Sequence, residues 1–162
     1  MLALLAIFAL LIASSLGGFF RGRVLNFEAR RMLTLVQYGQ SRAVAEGVPV
    51  VLWVDPTRNA YGLAVLGSFA DADGDTRAVA YTMEPGLAFE TPPADTTLVS
   101  EADDEKLGLP EGVLAIRCNP DGFFDEGSAQ RITIRLGDQG ALDLVPTANR
   151  LAYEIREGSP AR

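Results

Sequence analysis

The sequence predicts an α+β fold in which one long amino-terminal helix packs on a β-rich domain. Three observations lead to this prediction. The first twenty residues carry no charge, helical periodicity continues from there to Gly47, and the periodicity of strands follows it. The residues that follow the stem, about 140 of the 162, suffice for one domain to bury a core without disulfide or metal crosslinks. We therefore divide the chain into a stem, residues 1–20, an amphipathic half-helix, 21–47, and a β-rich head, 48–162.

The stem is predicted to be the transmembrane half of the helix. At about 1.5 Å per residue, twenty uncharged residues make a helix of about 30 Å, which matches the hydrocarbon core of a bilayer. A cleaved signal peptide and a buried core helix are the alternatives. No basic stretch precedes the apolar run, which disfavours a signal peptide, although Ala13-Ser14-Ser15 would suit cleavage. The stem residues expected to contact lipid, and later neighbouring helices, are Leu4, Leu5, Ile7, Phe8, Leu11 and Ile12.

The half-helix of residues 21–47 is predicted to be covered along one stripe. Its apolar residues recur at steps of three and four, and its polar residues occupy another face. Gly47 and Pro49 are expected to end the helix, because glycine adopts the left-handed conformation easily and proline cannot continue a helix. The predicted covered stripe is Leu25, Ala29, Met32, Val36, Gly39 and Ala43, and the predicted polar face is Arg23, Arg30, Thr34, Gln37 and Ser41.

Strand periodicity begins directly after the helix. Residues 50–54 are apolar at every position, which predicts a strand covered by the helix on one face and by a second sheet on the other. A turn at 55–59 leads to a partner strand at 61–66. Further strands are predicted at 77–83, 87–90 and 113–118, with an irregular excursion at 91–112 that carries the acidic run 101–105.

The carboxyl half is predicted to be a small antiparallel meander, because apolar and polar residues alternate there. The single cysteine, Cys118, falls on an inward position and is expected to be a core residue, since one cysteine cannot form an internal disulfide. The predicted inward positions are Leu114, Ile116, Cys118, Ile132, Ile134, Leu136, Leu142, Leu144, Leu151, Tyr153 and Ile155.

Composition argues against several classes of function. The chain has no histidine, the commonest general base and metal ligand near neutral pH, so no catalytic site, cofactor or small-molecule substrate is expected. A formal charge of −7 disfavours nucleic acid as the main partner. Asp71, Asp73 and Asp75 are a weak candidate for a calcium site, but their spacing differs from an EF-hand and a solvated turn is favoured.

Two blocks of residues carry a resemblance to a known family. The helix-to-strand passage and a later turn resemble the H-type (GspH) minor pseudopilins of type II secretion systems and their FimT-like relatives in type IV pili. The positions that carry this resemblance are Glu28, Arg30, Arg31, Ser41, Ala43, Gly47 and Pro49 in the first block, and Pro120, Asp121 and Gly122 in the second.

The resemblance implies a pilin-like fold with two antiparallel sheets and a structural role without catalysis. The chain would be a minor pseudopilin in the bacterial inner membrane, with a single pass and the head in the periplasm. It would help to start a pseudopilus that exports folded proteins, and its partners would be other pseudopilins and the inner-membrane secretion platform. Two alternatives stay open: a type IV pilus minor pilin that takes up DNA, and a membrane-tethered binding module.

The beginning of the chain departs from the family pattern. Family members carry a short basic leader ending in Gly and a glutamate at the fifth mature position, and neither is found ahead of the apolar run. We expect Met1 to fall at or just after the position of that glutamate. Arg21 and Arg23, without a basic leader, would by the positive-inside rule place the head in the cytoplasm, whereas the resemblance implies the periplasm.

Overall fold

A single helix leads into the β-rich part of the chain. The computed structural model describes residues 2–66, 74–90 and 112–158, with side chains described from residue 22 onward. Helix α1 spans Leu2–Glu46, so its 45 residues extend over about 67 Å. The predicted end at Gly47 is confirmed. This residue adopts a left-handed φ of +68°, and its backbone N–H donates to the Ala43 carbonyl at 3.0 Å.

The first antiparallel sheet, sheet A, follows the helix. Its first two strands form the predicted hairpin, with Val50 opposite Val65 and Asp55 opposite Ala60. Asp55 turns the chain between them, since its Oδ1 accepts the backbone N–H groups of Thr57 and Arg58. In the order β3-β2-β1-β5, the strands of sheet A are β3 (Val79–Thr82), β2 (Ala60–Val65), β1 (Val50–Asp55) and β5 (Leu114–Cys118).

The second antiparallel sheet, sheet B, contains the predicted meander. Ile132, Ile134 and Leu136 are buried and alternate with half-buried neighbours, which confirms the predicted inward positions of that strand. In the order β4-β6-β7-β8, the strands of sheet B are β4 (Ala88–Phe89), β6 (Ile132–Leu136), β7 (Gly140–Pro146) and β8 (Tyr153–Glu157).

The helix and both sheets share one hydrophobic core. The predicted covered stripe of α1 is confirmed, and it joins the inward residues of both sheets in a single cluster. The helix approaches sheet A closely at Gly39, where an added Cβ would lie 2.7 Å from Leu63 Cδ1. Cys118 is completely buried in this core, as predicted, and burial raises the pKa of its thiol to about 12.

The far face of β1 differs from the prediction. Val50, Leu52 and Val54 face the shared core, to which both the helix and sheet B belong. Val51 points the other way into a smaller cluster with Val113, Ala115 and the half-buried Trp53. The prediction that a second sheet covers this far face is therefore wrong for the described residues: the continuous apolar run of β1 supplies two separate clusters.

The carboxyl-terminal prediction fails at one position, Leu151. Leu151 was expected to point inward, but it is 44% exposed because the chain loops at 147–152 before β8 begins at Tyr153. Within that loop Arg150 adopts a left-handed φ of 54°. On β7, Leu142 packs against the shared core as predicted, while Asp143 on the opposite face is buried and its Oδ1 accepts a 2.7 Å hydrogen bond from the Thr133 hydroxyl. The buried carboxylate is thus hydrogen-bonded, as buried polar groups generally are, and the apolar pattern does not predict its burial.

The remaining strand predictions differ at their ends. The strands expected at 61–66, 77–83 and 87–90 are observed as β2, β3 and β4, with bounds shifted by one or two residues. Most of the expected excursion at 91–112, including its acidic run, lies outside the described residues.

Candidate functional site

Charged residues of α1 fasten the helix to the head at two levels. The upper fastening consists of Glu28, Arg31, Tyr61 and Tyr81, and the lower fastening consists of Arg42, Glu46, Asp75 and Arg77. Both join the helix to the edge of sheet A formed by β2 and β3 and to the chain segment between these strands. Together they fix the helix against one side of the head.

The upper fastening is built around a buried carboxylate. Glu28 is completely buried, and the Tyr61 hydroxyl donates a 3.0 Å hydrogen bond to its Oε1. Burial and the neighbouring Glu28 raise the pKa of Tyr61, so the phenol keeps its proton. Glu28 Oε2 lies 3.6 Å from Arg31 Nη1 and has no hydrogen-bond partner among the described residues. The Arg31 guanidinium also stacks on the Tyr81 ring, 3.8 Å from its centre.

The lower fastening is a fully engaged ion-pair network. Arg42, 5% exposed in its side chain, donates to both carboxylate oxygens of Asp75 at 2.7 and 2.9 Å and to Glu46 at 3.1 Å. Asp75 also accepts the backbone N–H groups of Val65 and Arg77, and Arg77 forms an ion pair with Glu46. The bidentate bond from Arg42 lowers the pKa of Asp75 to about 2, and Arg42 likewise lowers the pKa of Glu46.

This network bears on the candidate calcium site. Asp71 and Asp73 lie outside the described residues, whereas both oxygens of Asp75 already accept bonds from Arg42 and from backbone amides. The guanidinium supplies the positive charge that a cation would bring to Asp75. Among the residues that the structure describes, no three potential metal ligands lie together.

The second motif block lies near the end of the helix where Gln40 meets two loops. The Gln40 side-chain amide donates to the carbonyls of Gly122 and Leu151, at 2.6 and 2.9 Å. Gly122 adopts a left-handed φ of +84°, and Asp121 Oδ1 accepts the Phe123 amide at 3.0 Å, so the motif forms a tight turn. Gln40 was not predicted to be a site residue, because nothing in its spacing distinguishes it from an ordinary polar residue at the flank of the helix.

The other motif residues occupy different environments. Ala43 is buried in the core, Pro49 is half-buried and accepts the Leu66 amide at 2.9 Å, and Ser41 is exposed. Pro120 is exposed beside the turn described above. The structure therefore divides the motif between core positions, the upper fastening and the surface instead of gathering it into one site.

An exposed face of the helix carries two large aromatic side chains. Phe27 is 64% exposed and Tyr38 is 47% exposed, and Arg30 and Thr34 lie between them on the same face, since the spacing follows steps of three and four. We call these four residues the helix strip. Arg30 and Thr34 belong to the predicted polar face, whereas the aromatic pair was not predicted, although its spacing of eleven residues, about three helical turns, could have revealed it.

The six stem residues predicted to contact lipid all lie within the helical backbone of α1, but their side chains are outside the described part. For the part of the chain that the structure describes, no helix combines the length and apolarity needed to cross a membrane. The membrane role of the stem therefore stays a prediction.

Comparison with known proteins agrees with this architecture. A family model described as type II transport protein GspH matches residues 28–150. A structure of the minor pseudopilin EpsH from the type 2 secretion system of Vibrio cholerae has 11% identity and a TM-score of 0.52, covering 85% of this chain and 98% of that chain. A second EpsH structure has 12% identity and a TM-score of 0.48, with 86% and 96% covered. A search of curated proteins gives no match.

A long helix packed on two antiparallel sheets defines a pilin-like fold. The chain belongs to the GspH family of type II transport proteins, because the family model matches well over half of its length. It is accordingly a minor pseudopilin of type II secretion, and pseudopilins assemble with one another. Members of this class are structural proteins anchored in the inner membrane with a periplasmic domain.

Proposed function

We propose that this chain helps to start a pseudopilus whose growth exports folded proteins across the outer membrane. The stem, residues 1–20, would anchor it in the inner membrane by a single pass, with the head in the periplasm. There it would meet the secretion platform and other pseudopilins. The observation that carries the proposal is the unbroken helix Leu2–Glu46, which leads directly from the uncharged stem into the core of the head.

In the proposed mechanism, the helix carries the contacts both in the membrane and in the fibre. In the membrane the stem contacts lipid, and in the fibre it contacts neighbouring helices, so extraction exchanges one apolar environment for another at small net free-energy cost. The two fastenings and the Gln40 bridge would keep head and helix moving as one body when force is applied. No catalysis and no cofactor take part in this proposal.

The experiment is complementation of a strain in which the gene for this chain is deleted. We expect the deletion to block export of a folded exoprotein, and the wild-type chain to restore it. Leu11→Arg, which places a charge in the apolar stem, should abolish restoration and fibre incorporation. The matched control is Leu151→Arg, which makes the same substitution at a leucine that is 44% exposed on the head. Normal incorporation of the Leu11→Arg chain would exclude the stem as the assembly interface.

A further inference from the structure

We propose that a cleft between helix α1 and two turns next to sheet B binds the headgroup of a zwitterionic phospholipid, with the lipid ammonium on Asp138. We call it the proximal cleft, and it is lined by Val24 of the helix, Pro85 and Gly86 of one turn and residues 136–139 of the other. The inference rests on the proposed function, because it assumes that the stem spans a membrane. It goes beyond that function by assigning a lipid-binding site to the head.

Two hydrogen-bonded turns give the proximal cleft its shape. A backbone hydrogen bond closes each turn, at 3.1 Å in residues 84–87 and at 3.0 Å in residues 136–139. Each turn also contains a glycine with a left-handed φ, Gly86 at +91° and Gly137 at +47°. The turns are neighbours, since an added Cβ on Gly86 would lie 3.9 Å from Leu136 Cδ1. The cleft has a volume of about 340 Å³, near the lower end for ligand sites, so it suits a single headgroup.

The proximal cleft lies at the end of the head that is nearest to the stem. Val24 is four residues beyond the stem, which is about 6 Å along the helix axis. Strand β7 begins beside the helix at the same level, because an added Cβ on Gly140 would lie 3.8 Å from Leu25 Cδ2. The headgroup layer on one side of a bilayer is about 5–8 Å thick. With the stem spanning the membrane, the cleft would therefore open within this layer.

The charges around the cleft fit a zwitterion better than an anion. Asp138 is exposed and forms no ion pair with any residue in the described ranges, so it can pair with an ammonium group. A headgroup with negative charge alone would be repelled by Asp138 and by Glu84, which is exposed in the other turn. Arg21 and Arg23 precede Val24 on the stem side, where the lipid phosphate would lie, since the phosphate links the ethanolamine to the glycerol. Val24, which is 37% exposed, offers an apolar contact to the glycerol.

The test is zero-length crosslinking of the full chain in vesicles of equal parts phosphatidylethanolamine and phosphatidylcholine. A carbodiimide joins a carboxylate to a primary amine where the two groups touch, and only ethanolamine supplies such an amine among these lipids. The control carboxylate is Glu157, which is exposed outside the cleft and lies opposite Leu142, two residues after Gly140. We expect the peptide that contains Asp138 to gain the mass of one phosphatidylethanolamine, at about ten times the yield of the Glu157 peptide.

Three results would overturn the proposal. Equal yields at Asp138 and Glu157 would mean that headgroups touch this end of the head without a site. An amide between Asp138 and an amine of another protein chain would mean that the cleft receives a protein. The absence of any lipid adduct at Asp138 would mean that no ammonium binds there.

A variant that fills the cleft then tests whether the cleft itself selects the lipid. Val24→Trp should lower the adduct yield at Asp138 by about tenfold, because the indole takes the space of the headgroup. Val44→Trp is the matched control, since it makes the same substitution at a valine that is 53% exposed farther along the helix, and it should leave the yield unchanged. An unchanged yield with Val24→Trp would overturn the assignment of the cleft.

Vesicle flotation and export separate this inference from the proposed function. A chain that does not float with the vesicles would overturn both the membrane anchor and the proximal cleft. A chain that floats without a specific adduct at Asp138 would overturn the cleft alone. If the adduct is specific while deletion of the gene leaves export intact, the cleft stands and the secretion role is wrong.

Discussion

The upper and lower fastenings of the helix differ in how completely their buried charges are satisfied. Asp75 in the lower fastening accepts two bonds from Arg42 and two from backbone amides. Glu28 in the upper fastening has one oxygen bonded to Tyr61 and one without a hydrogen bond from the described residues. A buried ion is costly unless paired and hydrogen-bonded. We therefore expect the lower fastening to contribute more to the free energy of unfolding than the upper fastening.

Replacing the arginine of the lower fastening, Arg42, should have the largest effect on stability. Arg42→Met keeps the apolar stem of the side chain but leaves the Asp75 carboxylate, 3% exposed, with only its backbone donors. We expect the free energy of unfolding to fall by about 3–5 kcal/mol. This loss can be measured by urea unfolding of the full chain in detergent, with Trp53, the single tryptophan, as the fluorescent reporter.

The control for this variant is Arg156→Met, which removes one partner of an exposed ion pair. Its side chain is 65% exposed, so we expect a change within about 0.5 kcal/mol. A loss below about 1 kcal/mol for Arg42→Met would contradict the assignment of the lower fastening as the stronger anchor.

The second prediction compares two buried tyrosines. Tyr61 donates to the Glu28 carboxylate, whereas Tyr153 donates at 2.8 Å to the neutral carbonyl of Ala129. Tyr61→Phe should lower the free energy of unfolding by about 1.5–3 kcal/mol, and Tyr153→Phe by about 1 kcal/mol, because bonds to charged groups are the stronger ones. Equal losses would show that the hydrogen bond from Tyr61 to the Glu28 carboxylate is no stronger than the bond from Tyr153 to the Ala129 carbonyl.

The third prediction concerns pH. The pKa of Asp75 is lowered from 3.8 to about 2, so its stabilising contribution is fully present above about pH 4 and disappears as the pH falls through about 2. We expect about 2 kcal/mol of stability to be lost in this window, at about 1.4 kcal/mol per pKa unit. Asp75→Asn should flatten this part of the profile in urea unfolding measured from pH 5 to pH 2. An unchanged acid profile would mean that Asp75 is not paired in solution.

Periodicity explains how much of the fold could be predicted. The stripe of α1 and the alternation of β6 follow from local spacing, so Met32 and Ile134 were placed correctly. Leu151 was not, because one left-handed residue, Arg150, and a hydrogen-bonded loop break the alternation before β8. A pattern of apolar residues carries no signal for such a backbone feature.

The site was harder to predict than the fold. The resemblance drew attention to Glu28 and Arg31 but assigned neither a partner, since Tyr61 and Tyr81 are more than thirty residues away in the chain. The pairing of Arg42 with Asp75 spans 33 residues and depends on how the helix crosses sheet A. Sequence spacing cannot report contacts that arise only from tertiary packing.

The smallest expected effect comes from neutralising the upper fastening. Glu28→Gln keeps an oxygen that accepts the Tyr61 hydrogen bond and keeps the volume of the side chain. It removes the charge that faces Arg31 at 3.6 Å, and Arg31 retains its contact with the Tyr81 ring.

We therefore expect the free energy of unfolding to change by less than about 1 kcal/mol, measured by urea unfolding next to Arg42→Met. A loss of about 3 kcal/mol or more would mean that the charge of Glu28 is as firmly compensated as that of Asp75. The two fastenings would then contribute equally, and the helix would be held rigidly at both levels. A gain in stability would instead mark Glu28 as a buried charge that is retained despite its cost, because replacing an incompletely paired ion by a neutral group of the same shape removes a desolvation penalty.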